Sequence, residues 1–447
     1  MSRFVRASKY RHVFGKAEKP ENCYLDVKLS RNAWDQNYVD GNLKYFAVAW
    51  ESGGGACAVI PYEQTGKLPA GNVPLVSGHK GPVLDLAWNN FSDDLLATVS
   101  EDCYGRIWQI PEGGLTENLE EPVQLLKGHK RKVGTVMWHP TASNLIATSS
   151  ADFSVKIWDV ETGDCVLDCG GASDLIQSTC WNQNGSLIAT TCKDKKIRIC
   201  DPRKQEIAAE GQGHLGIKGS RCTWLYAQDK LFTVGFTRTS EREYAIWDPR
   251  DLAKPVVKTG VDSASGILMP FYDEDTNMLY LAGKGDGNIR YYEIVDDSKQ
   301  IYFLSEYKSA KPQRGMNFLP KRACDVSKCE VARALKVDPT SVEPISFTVP
   351  RKSDLFQDDI FPPAYAGEAV LTKEQWLGGE DADPKRVSLE GGFVAPEKTE
   401  TTFTKVEAEK ELTGDELKKE YEALKKKVAY LEAELIKRDV QIKELSS

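Results

Sequence analysis

Several kinds of functional site are missing from this 447-residue sequence. It has only five histidines, and its eleven cysteines include no Cys-x-x-Cys pair, so no metal site is expected. There is no Gly-x-x-x-x-Gly-Lys-Ser/Thr phosphate loop, and no apolar run reaches the length of a membrane span. Scattered cysteines in odd number are typical of reduced thiols rather than of a disulfide framework. These absences predict a protein that is not an enzyme and has no cofactor.

The sequence has no excess of positive charge, since 66 Asp and Glu outnumber 58 Lys and Arg. The formal net charge is −8 and the isoelectric point is about 5.5, so bulk attraction to nucleic acid is not expected. The first twelve residues are basic but lack an apolar core, which excludes a secretory signal of the usual kind. Hydrophobic residues make up 41% of the chain, enough for a large folded core.

What the sequence does contain is a repeat. Residues 78–109 and 128–159 carry Gly-His, Ser, Asp and Trp at the same spacing, with 23 residues from His to Asp in both copies. A Gly-His…Trp-Asp unit of about 40–45 residues is the WD-repeat signature and predicts one four-stranded propeller blade. The repeated residues are His79, Ser100, Asp102 and Trp108, and then His129, Ser150, Asp152 and Trp158.

We expect these four residue types to form one buried hydrogen-bonded chain in each blade. A catalytic role for the Ser, His and Asp is disfavoured because the set occurs twice, and because the Trp indole can only donate. The repeated residues are therefore interpreted as architecture.

The Trp position also counts the blades. It recurs as Trp108, Trp158, Cys200, Trp247 and Tyr292, and one further step in each direction adds two more blades. A propeller removes its open edge by closing the ring, so we expect a strand near Phe4 to Phe14 to complete the last blade. The predicted fold is all-β: a seven-bladed WD-repeat β-propeller with a C-terminal extension and an α-helical coiled coil.

The composition changes after the propeller. We assign 1–350 to the propeller, 351–390 to an extension packed on it, 391–412 to a flexible linker and 413–447 to the coiled coil. The linker is rich in Gly, Pro, Thr, Lys and Glu, which is typical of an unpacked segment.

The last segment has a heptad pattern. A capping box at Thr413 to Glu416 opens it. Lys427 and Glu432 make one of two charge pairs that favour a parallel, in-register bundle. A single amphipathic helix lying on the propeller is the alternative. The predicted seam residues are Leu417, Tyr421, Leu424, Val428, Leu431, Leu435, Ile442 and Leu445.

Five motifs together resemble the coronin family, specifically its short class with one propeller and one coil. The resemblance covers nearly the whole chain and is most specific after the propeller, at Val349 to Asp359. The motifs are KYRHVFG at 9–15, LSRNAW at 29–34, SEDC at 100–103, PKRACDV at 320–326 and VPRKSDLFQDD at 349–359.

The resemblance implies the partners. A coronin is expected to bind F-actin through its propeller, to modulate the branch-nucleating actin-related-protein complex, and to lie in the cytoplasm at the actin cortex. The basic residue linked to filament contact matches Arg31. Family coils are usually parallel trimers with a basic-apolar-x-x-apolar-Glu motif, which Lys427 to Glu432 match with Lys in place of Arg. Val and Ile at one seam position with Leu at the other favour a dimer by general rules, but we predict a trimer.

A second function class stays open. A WD-repeat propeller can serve as an adaptor for peptide motifs in membrane traffic or ubiquitin ligation. Arg351 and Lys352 are the residues that would meet an acidic or phosphorylated peptide. Actin pull-down against pull-down of other partners separates the two classes.

Overall fold

A computed structural model describes residues 6–69, 73–352, 355–393, 401–404, 418–419, 421–422 and 425–431. In chain order the first strands are β1 Phe14–Ala17, β2 Tyr24–Leu25, β3 Val39–Gly41, β4 Tyr45–Trp50, β5 Gly55–Pro61, β6 Gly66–Lys67, β7 Leu75–His79, β8 Val83–Trp88, β9 Leu95–Ser100, β10 Tyr104–Gln109, β11 Gln124–Lys127, β12 Val133–Trp138, β13 Leu145–Ser150, β14 Val155–Asp159 and β15 Cys165–Cys169. The remaining elements are β16 Ile176–Trp181, β17 Ile188–Cys192, β18 Lys196–Asp201, β19 Glu206–Gln212, β20 Arg221–Leu225, β21 Lys230–Phe236, β22 Arg242–Trp247, β23 Val257–Asp262, β24 Leu268–Asp273, β25 Met278–Gly283, β26 Asn288–Ile294, β27 Ile301–Lys308, β28 Gly315–Phe318, β29 Glu330–Val337, β30 Ser341–Thr348, β31 Ala364–Tyr365, helix α1 Lys373–Leu377 and β32 Arg386–Val387. Short 3-10 turns lie at Pro20–Asn22, Tyr226–Gln228, Lys321–Ala323 and Val326–Lys328.

In the described part of the chain these strands form seven blades around a central channel, so the predicted seven-bladed β-propeller is confirmed, and the coiled coil stays a prediction. Blade 1 is β3-β4-β5-β7, and blades 2 to 6 take four successive strands each from β8 to β27. Blade 7 is β28-β29-β30, where β30 pairs with both β1 and β2, and β6 extends this sheet by pairing in parallel with β2. The second strand of a blade is buried on both faces, as in β9 and β13, because neighbouring blades pack on it. Outer strands such as β19 alternate exposed and half-buried residues.

The ring closes through the N-terminal segment, but the closing strand lies later than predicted. Phe14 pairs with Thr348 and Ala17 with Ile345, whereas the described residues before Phe14 form no strand. Tyr10 and Val13 are buried instead in the core between blades 6 and 7, and Val13 accepts a hydrogen bond from Tyr291. Tyr10 and Val13 therefore fill the core, and the pairing with β30 starts directly after them, at the exposed Phe14.

The two faces of the ring carry different turns. The upper face has the turns between second and third strands, such as 101–103, and the crossings to the next blade, such as 80–82 and 130–132. The lower face has the turns between first and second strands, such as 89–94 and 139–144.

The extension after blade 7 packs on the lower face. Trp376 of α1 is fully buried, and its indole donates to the carbonyl of Gly185 at 3.2 Å. Lys373 pairs with Asp159 at 2.6 Å, and Arg386 pairs with Asp275 at 2.7 Å. These contacts fix the extension to blades 3, 4 and 6.

Compact unit 1 runs from Met1 to Thr404, and unit 2 comprises Lys405–Ser447. Part of the predicted linker, 401–404, is packed rather than free. Phe403 lies against the core between blades 2 and 3, and the Thr404 amide donates to the Glu161 carbonyl at 2.9 Å. The Phe403 side chain thus anchors residues 401–404 to the propeller, although the segment around it is polar. All eleven cysteines are free thiols.

Candidate functional site

A hydrogen-bonded chain links blade 1 to blade 2. The Trp108 indole donates to Thr98 Oγ1 at 2.8 Å, and that hydroxyl lies 2.8 Å from His79 Nε2. His79 Nδ1 lies 3.0 Å from the Asp102 carboxylate. Burial lowers the pKa of His79 and so favours the neutral ring. Because the Asp102 carboxylate can only accept, Nδ1 carries the proton and Nε2 accepts from Thr98. Every member therefore donates to the next, and the chain ends on a carboxylate.

Ser100 is not a link in this chain, contrary to the sequence prediction. Trp108 pairs with Leu96, so the indole reaches Thr98, whereas Ser100 lies at the far end of β9. The Ser100 hydroxyl donates instead to the Gly81 carbonyl at 2.7 Å and accepts from the Asp102 amide.

The second copy shows the same correction. Thr148 joins Trp158 to His129, and His129 lies 2.9 Å from Asp152. Ser150 bonds the Arg131 carbonyl at 2.9 Å. Both serines hold upper-face turns in place.

A third chain links blade 4 to blade 5 with a different acid. Thr233 joins Trp247 to His214, and His214 Nδ1 lies 2.8 Å from Glu243. Glu243 lies on β22 rather than in the turn before it, so the expected His-to-Asp spacing does not reveal it. All three chains are buried inside the ring, which makes them part of the scaffold.

The upper mouth of the channel is crossed by the segment 31–37, which we call the crossing segment. The side-chain amide of its Asn32 donates to the Glu101 carboxylate of blade 2 at 3.3 Å, and its Trp34 indole donates to the Gly134 carbonyl of blade 3 at 3.0 Å. On the other side it accepts hydrogen bonds from Arg221 of blade 5 and Lys284 of blade 6. The segment approaches blade 3 so closely that only glycine fits at position 134, because a Cβ there would lie 2.4 Å from the Trp34 ring.

Arg31 begins the crossing segment and is exposed. Its amide donates to Glu51 at 2.7 Å, while the preceding Ser30 amide donates to Ala49 at 3.0 Å. Among the described residues its guanidinium has no hydrogen bond or ion pair. The structure thus holds the Arg31 backbone and presents an unpaired cation to solvent on the upper face.

A basic turn lies beside the crossing segment and was missed in the sequence. Lys132 Nζ lies 4.6 Å from the Trp34 ring centroid and 3.8 Å from Glu101. Lys130 and Arg131 in the same turn are exposed. The available signal was the run of basic residues after Gly-His in the second repeat, where the first copy has only Lys80.

Arg351 and Lys352, the candidates for an adaptor role, lie elsewhere. Arg351 pairs with Asp359 at 2.6 Å, so its charge is already matched within the chain. Lys352 is exposed.

Some of the predicted oligomerisation residues are described. Residues 418–419, 421–422 and 425–431 are helical, and Lys427 is exposed. Tyr421, Val428 and Leu431 expose 65%, 52% and 48% of their surface, so this apolar seam is uncovered in a single chain. Predicted residues outside the described part are Leu417, Leu424, Glu432, Leu435, Ile442 and Leu445.

The described part of the chain contains no cluster of three or more His, Cys, Asp or Glu side chains suited to a metal ion. A helix that is both long enough and apolar enough for a membrane span is likewise not found in that part.

Family models match several parts of the chain. Residues 3–67 match a domain of unknown function, DUF1899. Residues 72–109, 120–159 and 163–201 match the WD domain, G-beta repeat. A further type of WD40 repeat matches residues 342–384, which run from β30 into the extension.

Solved structures support the propeller. The WD40 domain of Toxoplasma gondii coronin superposes with a TM-score of 0.81 at 35% identity, over 85% of this chain and 98% of that one. A chain of the mitotic checkpoint complex is 14% identical with a TM-score of 0.56, over 79% of this chain and 99% of that one, and shares the fold alone.

Coronin-A of Dictyostelium discoideum is 58% identical over 449 aligned residues, which cover all of both chains. Full-length similarity at this level, together with the seven-bladed ring, places the chain in the coronin family.

Proposed function

We propose that this protein binds the side of actin filaments through the upper face of its propeller. The observation that carries the proposal is the unpaired, exposed Arg31, whose backbone is fixed by Glu51 and Ala49. The basic turn 130–132 extends the positive surface next to it. In a chain of net charge −8, a local cationic patch favours an acidic partner such as the filament.

Filament cross-linking needs more than one propeller per particle. We propose that the heptad seam assembles the chain into a parallel trimer, with a dimer as the competing state. A second propeller then binds intramolecularly, and avidity can raise the apparent affinity about 10²–10⁴-fold where the geometry allows. The exposed Val428 and Leu431 support a face that needs a partner.

The same assembly is proposed to modulate the branch-nucleating actin-related-protein complex and to act in the cytoplasm at the actin cortex. Family membership supports this part of the proposal. No catalytic step is involved.

Co-sedimentation with F-actin tests the proposal. We expect Arg31→Asp to weaken binding about tenfold, because an exposed ion pair worth about 0.2–1 kcal/mol is lost and a repulsion between like charges is added. Arg250→Asp is the control, since Arg250 is also exposed but lies on the lower face of blade 5, where it pairs with Asp248. A chain that ends before Thr413 should lose the gain in apparent affinity that comes from binding through more than one propeller. Equal pelleting of the full-length protein, Arg31→Asp and the truncated chain would refute both the site and the avidity argument.

A further inference from the structure

A small pocket opens at the channel mouth, on the opposite side of the crossing segment from the basic turn. Its volume is about 290 Å³. Trp34, Tyr38, Pro312 and Pro339 form its apolar walls. Lys284 and Arg314 bring two cations to the same pocket, which we call the mouth pocket.

The cations surround one aromatic ring. Lys284 Nζ lies 4.9 Å from the Tyr38 ring centroid, and the Arg314 guanidinium carbon lies 5.5 Å from it. Lys284 Nζ donates to the Trp34 carbonyl at 3.3 Å and lies 3.7 Å from the Asp35 carboxylate. Asp35 is half exposed, so this ion pair is weak.

Positive charge in and behind the mouth pocket exceeds the negative charge paired with it. Among the described residues Arg314 has no ion pair with a carboxylate. Arg221, behind the pocket, donates to the Asn37 side-chain oxygen at 2.6 Å and to the Asp35 carbonyl, and it too lacks a carboxylate within ion-pair distance in the described structure. Burial, and then the charge of Arg221, lower the pKa of Lys284 to about 7. An additional anion would stabilise these cations.

We propose that the mouth pocket binds one oxyanion, a phosphate ester or a carboxylate, carried on a side chain of a partner polypeptide. Arginine offers a planar fork that matches two oxygens, and lysine adds a point charge. The Lys284 side chain is only 16% exposed, so the anion has to reach it on a narrow stalk. Trp34, Pro312 and Pro339 would cover that stalk, whereas a flat bilayer surface would not reach Lys284.

The titration of Lys284 provides the test. The full chain is labelled at the lysine ε-carbon with carbon-13, and Lys284→Met assigns the Lys284 signal. Inorganic phosphate, compared with chloride at equal ionic strength, should raise the Lys284 pKa from about 7 toward its usual 10.5. Phosphoserine and aspartate blocked at both ends should do the same, because they carry the oxyanion on a side chain.

Two variants separate the mouth pocket from general charge effects. Arg314→Met should abolish the response, whereas Lys311→Met should keep it, because Lys311 is exposed, nearby and outside the pocket. Thermal unfolding of both variants checks that the fold is intact. An unchanged Lys284 titration with all three anions overturns the proposal. A stronger effect of glycerophosphoinositol bisphosphate than of blocked phosphoserine overturns the assignment to a polypeptide.

Discussion

The imidazole of His139 packs edge-on against the indole of Trp376, with ring centroids 4.8 Å apart and planes at 67°. His139 lies in a lower-face turn of blade 3, and Trp376 lies in the extension. The His139 Nδ1 accepts hydrogen bonds from the amides of Thr141 and Ala142, at 3.2 and 2.8 Å. Its Nε2 is 3.1 Å from the Gly185 carbonyl, which also accepts from Trp376. The ring has to be neutral to make this set of bonds.

Lowering the pH should therefore destabilise the folded protein through the packing of His139 against the extension on the lower face. Burial lowers the pKa of His139 to about 3 in the folded protein, against 6.5 for an exposed histidine. The unfolded chain binds the extra proton between these values, so stability falls as pH drops through that window. We expect His139 to contribute a loss of about 2 kcal/mol between pH 7 and pH 5.

His139→Asn is the comparison for this pH effect. Its side-chain oxygen can accept from the Thr141 and Ala142 amides but does not titrate. Denaturant unfolding at several pH values should show a shallower pH dependence in the variant than in the natural chain. Parallel profiles would contradict the assignment.

Trp376 should be the main anchor of the extension. It is fully buried, and Trp376→Ala should cost about 3–5 kcal/mol of docking energy through the cavity it leaves. Limited proteolysis within 364–390 should become much faster. Leu377→Ala is the control, because Leu377 is 38% exposed and should change the cleavage rate little. If the two variants were cut at the same rate, another contact would hold the extension.

The blades could be predicted from sequence because the same residue types recur at a regular interval, which gives the length and number of the repeats. The contact of Trp376 could not, because it joins residues 191 positions apart and occurs once. Thr98 was missed for a local reason. The Ser at position 100 stands closer to Asp102 in sequence, but the pairing of Trp108 with Leu96 decides which hydroxyl the indole meets. Arg31 was located through family resemblance; its unpaired guanidinium is visible only in the structure.

Thr98 and Ser100 should differ in their coupling to Trp108. Thr98→Val strands the Trp108 donor and the His79 acceptor in the interior, and each stranded group costs about 1–3 kcal/mol. Ser100→Ala removes the hydrogen-bond partner of only two backbone groups, the Gly81 carbonyl and the Asp102 amide. Both residues are half-buried, so water can replace the lost serine hydroxyl.

Double-mutant cycles with Trp108→Phe measure this difference by denaturant unfolding. The Thr98 cycle should give a coupling of about 1 kcal/mol or more, and the Ser100 cycle a value near zero. A larger coupling for Ser100 would restore the sequence-based interpretation.

Binding through Arg31 should depend on salt. Arg31 is exposed, so its attraction to an acidic filament is screened over about 8–10 Å at physiological ionic strength. Affinity of the chain stopped before Thr413 should fall steadily as potassium chloride rises, and Arg31→Asp should show a smaller slope. Arg250→Asp should keep the natural slope. A salt-independent affinity would mean that apolar contacts carry the binding.

The coil seam should set both assembly and filament affinity. Val428 is half exposed in the single chain and occupies a predicted seam position, so Val428→Asp would place a charge inside the helix bundle. We expect the particle mass to fall from that of a trimer to that of one chain, and the apparent filament affinity to fall by about 10²-fold or more. Tyr430→Asp adds the same charge at a neighbouring exposed position off the seam, and it should leave both quantities unchanged. Sedimentation equilibrium gives the mass, and co-sedimentation with F-actin gives the affinity. A natural chain with the mass of a dimer would show that the Val and Ile seam outweighs the Lys427 to Glu432 motif. If Val428→Asp yielded single chains that bound filaments as tightly as the natural protein, avidity would have no part in its action.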